Sequence, residues 1–184
     1  MYNEAEIIEG CRKNNPEFQK TVYEKYAPKM MAVCMRYCGN YEEARDLMHE
    51  GFMKVFMNFK SYRQESNLDS WITRVVINNT LTFIRKKLKE EKAERNYKRE
   101  NILENNSSST DTWLEKFSLE EINEAIMKLS LAKRTVFNLY VVEDYAHKEI
   151  AKELGISVGT SKSNLSRAKE TLKDILLKKL NRER

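Results

Sequence analysis

The chain has 184 residues, a net charge of +5 and a pI near 9.0, with 33% of its residues charged and only 5 Gly and 2 Pro. That length allows one or two small domains, and the composition favours an all-α protein with heavily solvated surfaces. Three cysteines, an odd number, argue against a disulfide framework, and no apolar run reaches signal-peptide or membrane-span length, so a cytoplasmic protein without membrane insertion is expected.

In chain order, Phe18, Val22, Tyr26, Met30 and Cys34 recur every four residues and predict an apolar stripe along one long helix. Cys34 and Cys38 share that spacing. With no CxxC and no nearby His pair, they read as core thiols rather than as metal or redox ligands. After Gly39, Asn40 caps a second helix with Glu43 as its capping-box partner. Ala44, Leu47, Gly51, Val55 and Phe59 form the buried face of that helix. A loop over residues 60–67 holds Tyr62, Arg63 and Gln64. Asp69 then begins a helix carrying Trp71, Ile72, Val75, Val76 and Phe83, which ends in the basic run Arg85, Lys86, Lys87.

Residues 1–88 therefore read as one helical domain. Residues 89–112 lose apolar periodicity: Lys and Glu alternate, then Asn105, Asn106, Ser107, Ser108, Ser109 and Thr110 follow. Such a stretch buries too little apolar area to offset its ordering entropy, and reads as a flexible polar linker. Its first half can extend the preceding helix through i,i+4 charge pairs.

Residues 113–184 form the second domain. Ser118 caps a helix with Glu121 as box partner, and Leu119, Ile122, Ile126 and Leu129 follow at helical spacing. Ser130 opens the next helix, with Val136, Phe137 and Tyr140 on its core face. No strand pattern and no internal repeat is evident.

From Glu149 to Lys169 the chain reads as a helix, a tight turn at Gly155, and a second helix capped by Ser157. This is a helix-turn-helix pattern, whose second helix lies in the DNA major groove. Ile150, Ala151, Leu154 and Ile156 are its buried side, and Leu165, Ala168 and Leu172 face inward on the second helix. Lys162, Ser163, Ser166 and Arg167 form the opposite stripe, where Arg and Lys can donate to guanine O6 and N7. Lys148, Lys152 and Lys169 are placed for phosphates, which position rather than specify. A solvated charged face is the bland alternative; the turn glycine and the small-polar stripe together favour DNA.

The first domain narrows the reading. Phe52-Met53-Lys54-Val55-Phe56, then Ser70 to Asn78, then Phe83-Ile84-Arg85-Lys86-Lys87 resemble the promoter-melting domain of bacterial sigma factors. With the second domain, the chain resembles an extracytoplasmic-function (ECF) sigma factor of the sigma-70 family. The resemblance implies an initiation factor; with two His far apart in sequence, no Gly-rich phosphate loop and no catalytic constellation, no chemistry by the chain itself, no cofactor and no metal is expected. It implies RNA polymerase core as partner, through the β′ clamp helices and the β flap, together with promoter DNA and an anti-sigma partner that occludes polymerase surfaces.

Residue by residue, the segment Ala44 to Phe52 is similar to the clamp-helix docking surface, with Asp46, His49, Glu50 and Phe52 as its contacts. The family usually has Gln where His49 stands. The helix from Ser70 to Arg85 would meet the −10 element through Arg74, Asn78, Thr82 and Arg85, which share a face. Trp71 is read as core before base-stacker. The loop over 60–67 would cup an extruded base, with Tyr62 and Phe59 the aromatics at hand and Phe59 the more core-like. Lys162, Ser163, Ser166 and Arg167 match the −35 reading positions. Two departures from the family pattern carry expectations. Ser161 replaces an apolar residue, which predicts looser packing of the recognition helix. Ala146 replaces a capping Ser, which predicts a frayed helix start with Asp144 as substitute cap.

Two other readings stay open on sequence: a stand-alone helix-turn-helix regulator, which would bind its operator without polymerase, and a helical interaction module, which would not select DNA sequences.

Overall fold

Side-chain caps set where most of these helices begin. Helix α1 (Glu4–Arg12) opens on a full capping box: Asn3 accepts from the Glu6 N–H and Glu6 from the Asn3 N–H. Helix α2 (Pro16–Tyr37) starts with Asn15 as cap and Pro at its first position, where the missing N–H costs nothing. Between them Asn14 takes a φ of 57°, the left-handed turn that reverses the chain. The sequence periodicity begins at Phe18, so α1 had no signal of its own. Asn40 caps α3 (Tyr41–Asn58) by accepting from the Glu43 N–H at 2.8 Å, as expected. A single 3₁₀ turn (Phe59–Ser61) follows.

Helix α4 (Leu68–Arg95) starts one residue earlier than expected, because the cap is Asn67, whose Oδ1 accepts from the Ser70 N–H at 2.7 Å. It runs unbroken past the basic triplet, so the alternating Lys–Glu stretch does extend it. The computed structural model describes residues 2–95 and 117–180, so the remainder of the expected linker, Trp113 and the last four residues lie outside the described residues. Among the described residues no strand occurs, and no helix is long and apolar enough to cross a membrane.

The chain divides into two units, residues 1–83 and 84–184, with the boundary inside α4. In the first, Val22, Tyr26, Met30, Val33, Cys34 and Tyr37 of α2 pack against Ala44, Leu47, Met48, Phe52 and Val55 of α3, and Ile72, Val76, Ile77 and Leu81 of α4 complete the core. All three cysteines are buried and none forms a disulfide, and burial pushes Cys11 and Cys34 up to about 11, where they stay protonated and unreactive at neutral pH. Cys34 Sγ sits 3.8 Å from Thr80 Oγ1, an α2–α4 contact.

In the second unit, α5 (Leu119–Met127) carries the expected Ser118–Glu121 capping box. Helix α6 (Leu131–Phe137) does not end as a plain α-helix. It widens into a π turn over Asn138–Val142, closed by the Glu143 N–H donating to the Asn138 carbonyl at 3.1 Å. This turn overrides the expected face: Tyr140, placed in the core by 3.6-residue spacing, is 40% exposed, while Asn138 and Leu139 are buried. Helices α7 (His147–Leu154) and α8 (Val158–Leu180) follow, and α8 packs on α5, α6 and α7 through Leu165, Ala168, Leu172 and Leu176.

Gly10 is a steric test of the α1–α2 joint. A Cβ there would lie 2.2 Å from Phe18 Cδ2 and 2.3 Å from its Cγ, too close for a ring also packed on Tyr2 at 4.6 Å. Gly10→Ala is therefore expected to destabilise the protein by about 1–3 kcal/mol, as overpacked sites do. Ala would otherwise favour this helix by about 1 kcal/mol. Urea denaturation distinguishes the two signs.

Candidate nucleic-acid and polymerase interface

On α3, Asp46, His49 and Glu50 are all exposed on the face opposite its buried row. His49 Nε2 shares a 3.0 Å hydrogen bond with Tyr23 Oη, and the two rings stack at 6.1 Å. Tyr23 thus fixes the imidazole from the neighbouring helix. Asn79 donates to the Leu47 carbonyl at 3.1 Å, across the α3–α4 contact just behind these residues. Phe52 departs from its expected role. It is only 2% exposed, packed on Tyr23 at 4.8 Å and Phe56 at 6.0 Å, so it supports this face from beneath and offers nothing to a partner. An aromatic one position off the outer row falls inward by helical geometry.

On α4, Arg74, Asn78 and Thr82 are exposed on one face, and Arg85, also exposed, continues the row. Thr82 Oγ1 donates to the Asn78 carbonyl at 3.0 Å, leaving the Asn78 amide group on the surface. The opposite face holds Ile72, Val76, Thr80 and Leu81.

The loop before α4 is built differently from expectation. Tyr62 is not a surface aromatic: it is 3% exposed, its ring is 4.9 Å from Trp71, and Phe59 lies 5.3 Å from the same Trp71 ring. Trp71 is half-buried in this cluster, which agrees with reading it as core. The Tyr62 hydroxyl donates to the Ser66 carbonyl at 2.6 Å, so ring and hydroxyl are both used inside the protein. Arg63, Gln64 and Glu65 are the exposed crest, and Gln64 holds a φ of 60°. That left-handed conformation costs a non-glycine residue about 1 kcal/mol or more and persists where the surroundings hold it.

In the second unit Gly155, at φ 65°, ends α7 in the left-handed conformation that the tight turn requires, with the Ile156 N–H donating to the Ala151 carbonyl at 3.0 Å. Ser157 Oγ accepts from the Thr160 N–H at 2.9 Å and so caps α8. The α8 stripe has Lys162 exposed and Ser163, Ser166 and Arg167 partly exposed, with Lys148 and Lys152 exposed on α7. The inward row is Leu165, Ala168 and Leu172, as the spacing predicts.

Ser161 does not loosen the recognition helix. It is fully buried, and its Oγ shares a 2.9 Å hydrogen bond with His147 Nδ1, which joins the first turn of α7 to the first turn of α8. The His147 ring stacks on Tyr140 at 4.5 Å with 22° between planes. Asp144 is not the substitute cap. It sits at φ 57° in the preceding loop, and Glu149 Oε2 instead accepts from the Ala146 N–H at 2.8 Å. His147 and Ser161 lie fourteen residues apart, so only the folded turn reveals the pair.

Two families of side chains thus stand outward on separate units: an acidic and imidazole face with a polar helix row on one, and a basic, small-polar helix stripe behind a tight turn on the other. Residues 22–90 match the family model described as sigma-70 region 2, and residues 119–172 match that described as sigma-70, region 4. The ECF RNA polymerase sigma factor SigW of Bacillus subtilis (strain 168) is 28% identical over 173 residues, covering 90% of this chain and 92% of the relative. The RNA polymerase sigma-H factor of Pseudomonas aeruginosa is 23% identical over 188 residues, covering 98% and 96%. In fold, the chain is similar to the sigma factor RpoE solved in complex with the anti-sigma factor NepR from Bartonella quintana. The TM-score is 0.51 at 23% identity, covering 85% of this chain and 95% of that one.

The chain belongs to the sigma-70 family, in its ECF group. The family consists of transcription initiation factors that direct RNA polymerase to promoters, not of enzymes.

The His147 joint carries a pH dependence. Desolvation first, and the charge of Lys162 second, hold its imidazole below the ordinary value of 6.5. The folded protein therefore prefers the neutral ring. Its contribution is complete above the unfolded value and is lost as pH falls through the lower folded value. Thermal melts of the full chain from about pH 7.5 to about pH 5 should show a loss of stability that His147→Gln reduces. Equal pH slopes in the two proteins would remove His147 as the cause.

Proposed function

We propose that this protein binds core RNA polymerase and reads both promoter elements with separate parts of the chain. Residues 1–88 supply the polymerase and −10 surfaces, residues 113–184 the −35 reader, and residues 89–112 the connection that threads toward the RNA exit path. The observation that carries the proposal is the order of sigma-70 region 2 and region 4 along one chain, each with its polar face outward. Asp46, His49 and Glu50 dock on the β′ clamp helices. The second unit docks on the β flap. Lys162, Ser163, Ser166 and Arg167 enter the −35 major groove, with Lys148, Lys152 and Lys169 on phosphates.

Arg74, Asn78, Thr82 and Arg85 follow the non-template strand of the −10 element, and the crest Arg63–Gln64 receives an extruded base. Tyr62 and Phe52, being buried, support these surfaces from behind. Unstacking a base costs a few kcal/mol, and contacts made only in the open state offset it, so binding energy melts DNA without chemistry by this chain. The protein works in the cytoplasm, beside the core enzyme, and an anti-sigma partner that covers its polymerase-binding faces holds it inactive.

Run-off transcription with bacterial core polymerase on a pool of promoter fragments tests the reading: start sites appear only with the protein present. Duplex binding by the protein alone, with no new transcripts, would mean an ordinary regulator instead. Arg167→Ala is expected to weaken −35 discrimination by about 1–3 kcal/mol, measured by holoenzyme binding to single-base −35 variants. Asn78→Ala should slow open-complex formation on promoters with weak −35 elements. Unchanged opening on several such promoters would remove Asn78 from the melting machinery.

A further inference from the structure

Three side-chain hydrogen bonds hold the loop from Tyr62 to Asn67, and one comes from a helix that the DNA-reading surfaces do not include. Arg12, the last residue of α1, donates from Nη2 to the Tyr62 carbonyl at 2.6 Å. The Tyr62 hydroxyl donates to the Ser66 carbonyl at 2.6 Å, and Asn67 closes the far end as the cap of α4. Between these points only Arg63, Gln64 and Glu65 remain on the crest, exposed, with Gln64 in the left-handed conformation. Arg12 and Tyr62 are fifty residues apart, and α1 packs on the 3₁₀ turn that leads into the loop.

We propose that Arg12 is a positioning residue for base selection: its charged hydrogen bond to the Tyr62 carbonyl holds the loop in the shape that receives the extruded −10 base. The inference rests on the reading of this loop as the base-receiving element.

The physical reason is preorganisation. A loop whose crest contains a strained residue relaxes when its anchors are removed, and a relaxed loop binds the right and wrong bases more equally. A charge-assisted donor to a backbone carbonyl is stronger than a neutral one and is aimed at one atom, so the guanidinium fixes where the crest begins. The rest of the Arg12 environment is undemanding. Its side chain is 32% exposed, and Glu9 Oε2 lies 3.9 Å from its Nη1. The aliphatic stem therefore tolerates replacement better than the donor does.

The test uses the full-length protein reconstituted with core polymerase. Arg12→Met keeps the stem and removes the donor, Arg12→Lys keeps a charged donor, and Gln64→Ala alters the crest itself. Open-complex formation is measured on promoters carrying each of the four bases at each non-template −10 position, alongside affinity for core polymerase and the melting temperature. Arg12→Met should reduce discrimination at one −10 position roughly tenfold, the scale of one hydrogen bond to a charged group. Core affinity should stay unchanged, and Arg12→Lys should recover most of the discrimination. If Gln64→Ala shifts discrimination and Arg12→Met does not, the inference about Arg12 fails while the loop reading stands. If neither shifts it at any position, the loop reading itself fails. A fall in core affinity and melting temperature together, unrescued by lysine, or a variant unfolded at the assay temperature, would make Arg12 an ordinary structural residue and overturn the proposal.

Discussion

The working surfaces of the first unit depend on the approach of α3 to α4 at Gly51. A Cβ built there would stand 3.0 Å from Val76 Cγ2 and 3.4 Å from Val76 Cα, so the absence of a side chain lets the two helices meet at backbone distance. Asn79 ties the same contact by donating to the Leu47 carbonyl. Once this contact is made, the rotation of both helices about their axes is set. Asp46, His49 and Glu50 must face outward on α3, and Arg74 and Asn78 outward on α4. Both working surfaces of the unit are the outer sides of helices whose inner sides are locked together.

The second unit uses a polar lock for the same purpose. The angle between α7 and α8 is defined by Gly155 at one end of the turn and by the His147–Ser161 hydrogen bond across it. A buried hydroxyl is costly without a partner and specific with one. An apolar residue at Ser161 would pack, but it would not require the first turns of both helices to be in register. The π turn after α6 is part of this arrangement, because it brings Tyr140 over the His147 ring.

Legibility followed the range of the interaction. Asn40, the Ser118–Glu121 box, Gly155 and the Leu165–Ala168–Leu172 row could be read because cap and helix, or residue and turn, lie within a few positions of each other. Tyr62 and Phe52 were misplaced because an aromatic beside a polar row looks the same in sequence whether it faces a partner or a core. Trp71 and Tyr23 decided the matter, nine residues away in one case and twenty-nine in the other. Tyr140 was misplaced because one π turn shifts every later position around the helix axis, and periodicity counts residues without seeing it.

The sequence by itself determined that the protein is helical, where most helices start, and which residues form the basic stripe of α8. These depend on local hydrogen bonds and on period-3.6 patterning, both written in neighbouring residues. Tertiary structure alone decided which aromatics became supports, that Ser161 would be bonded rather than loose, and that Arg12 would reach the loop before α4. Each of these is a contact between residues far apart in the chain, and such pairs exist only after the helices have packed.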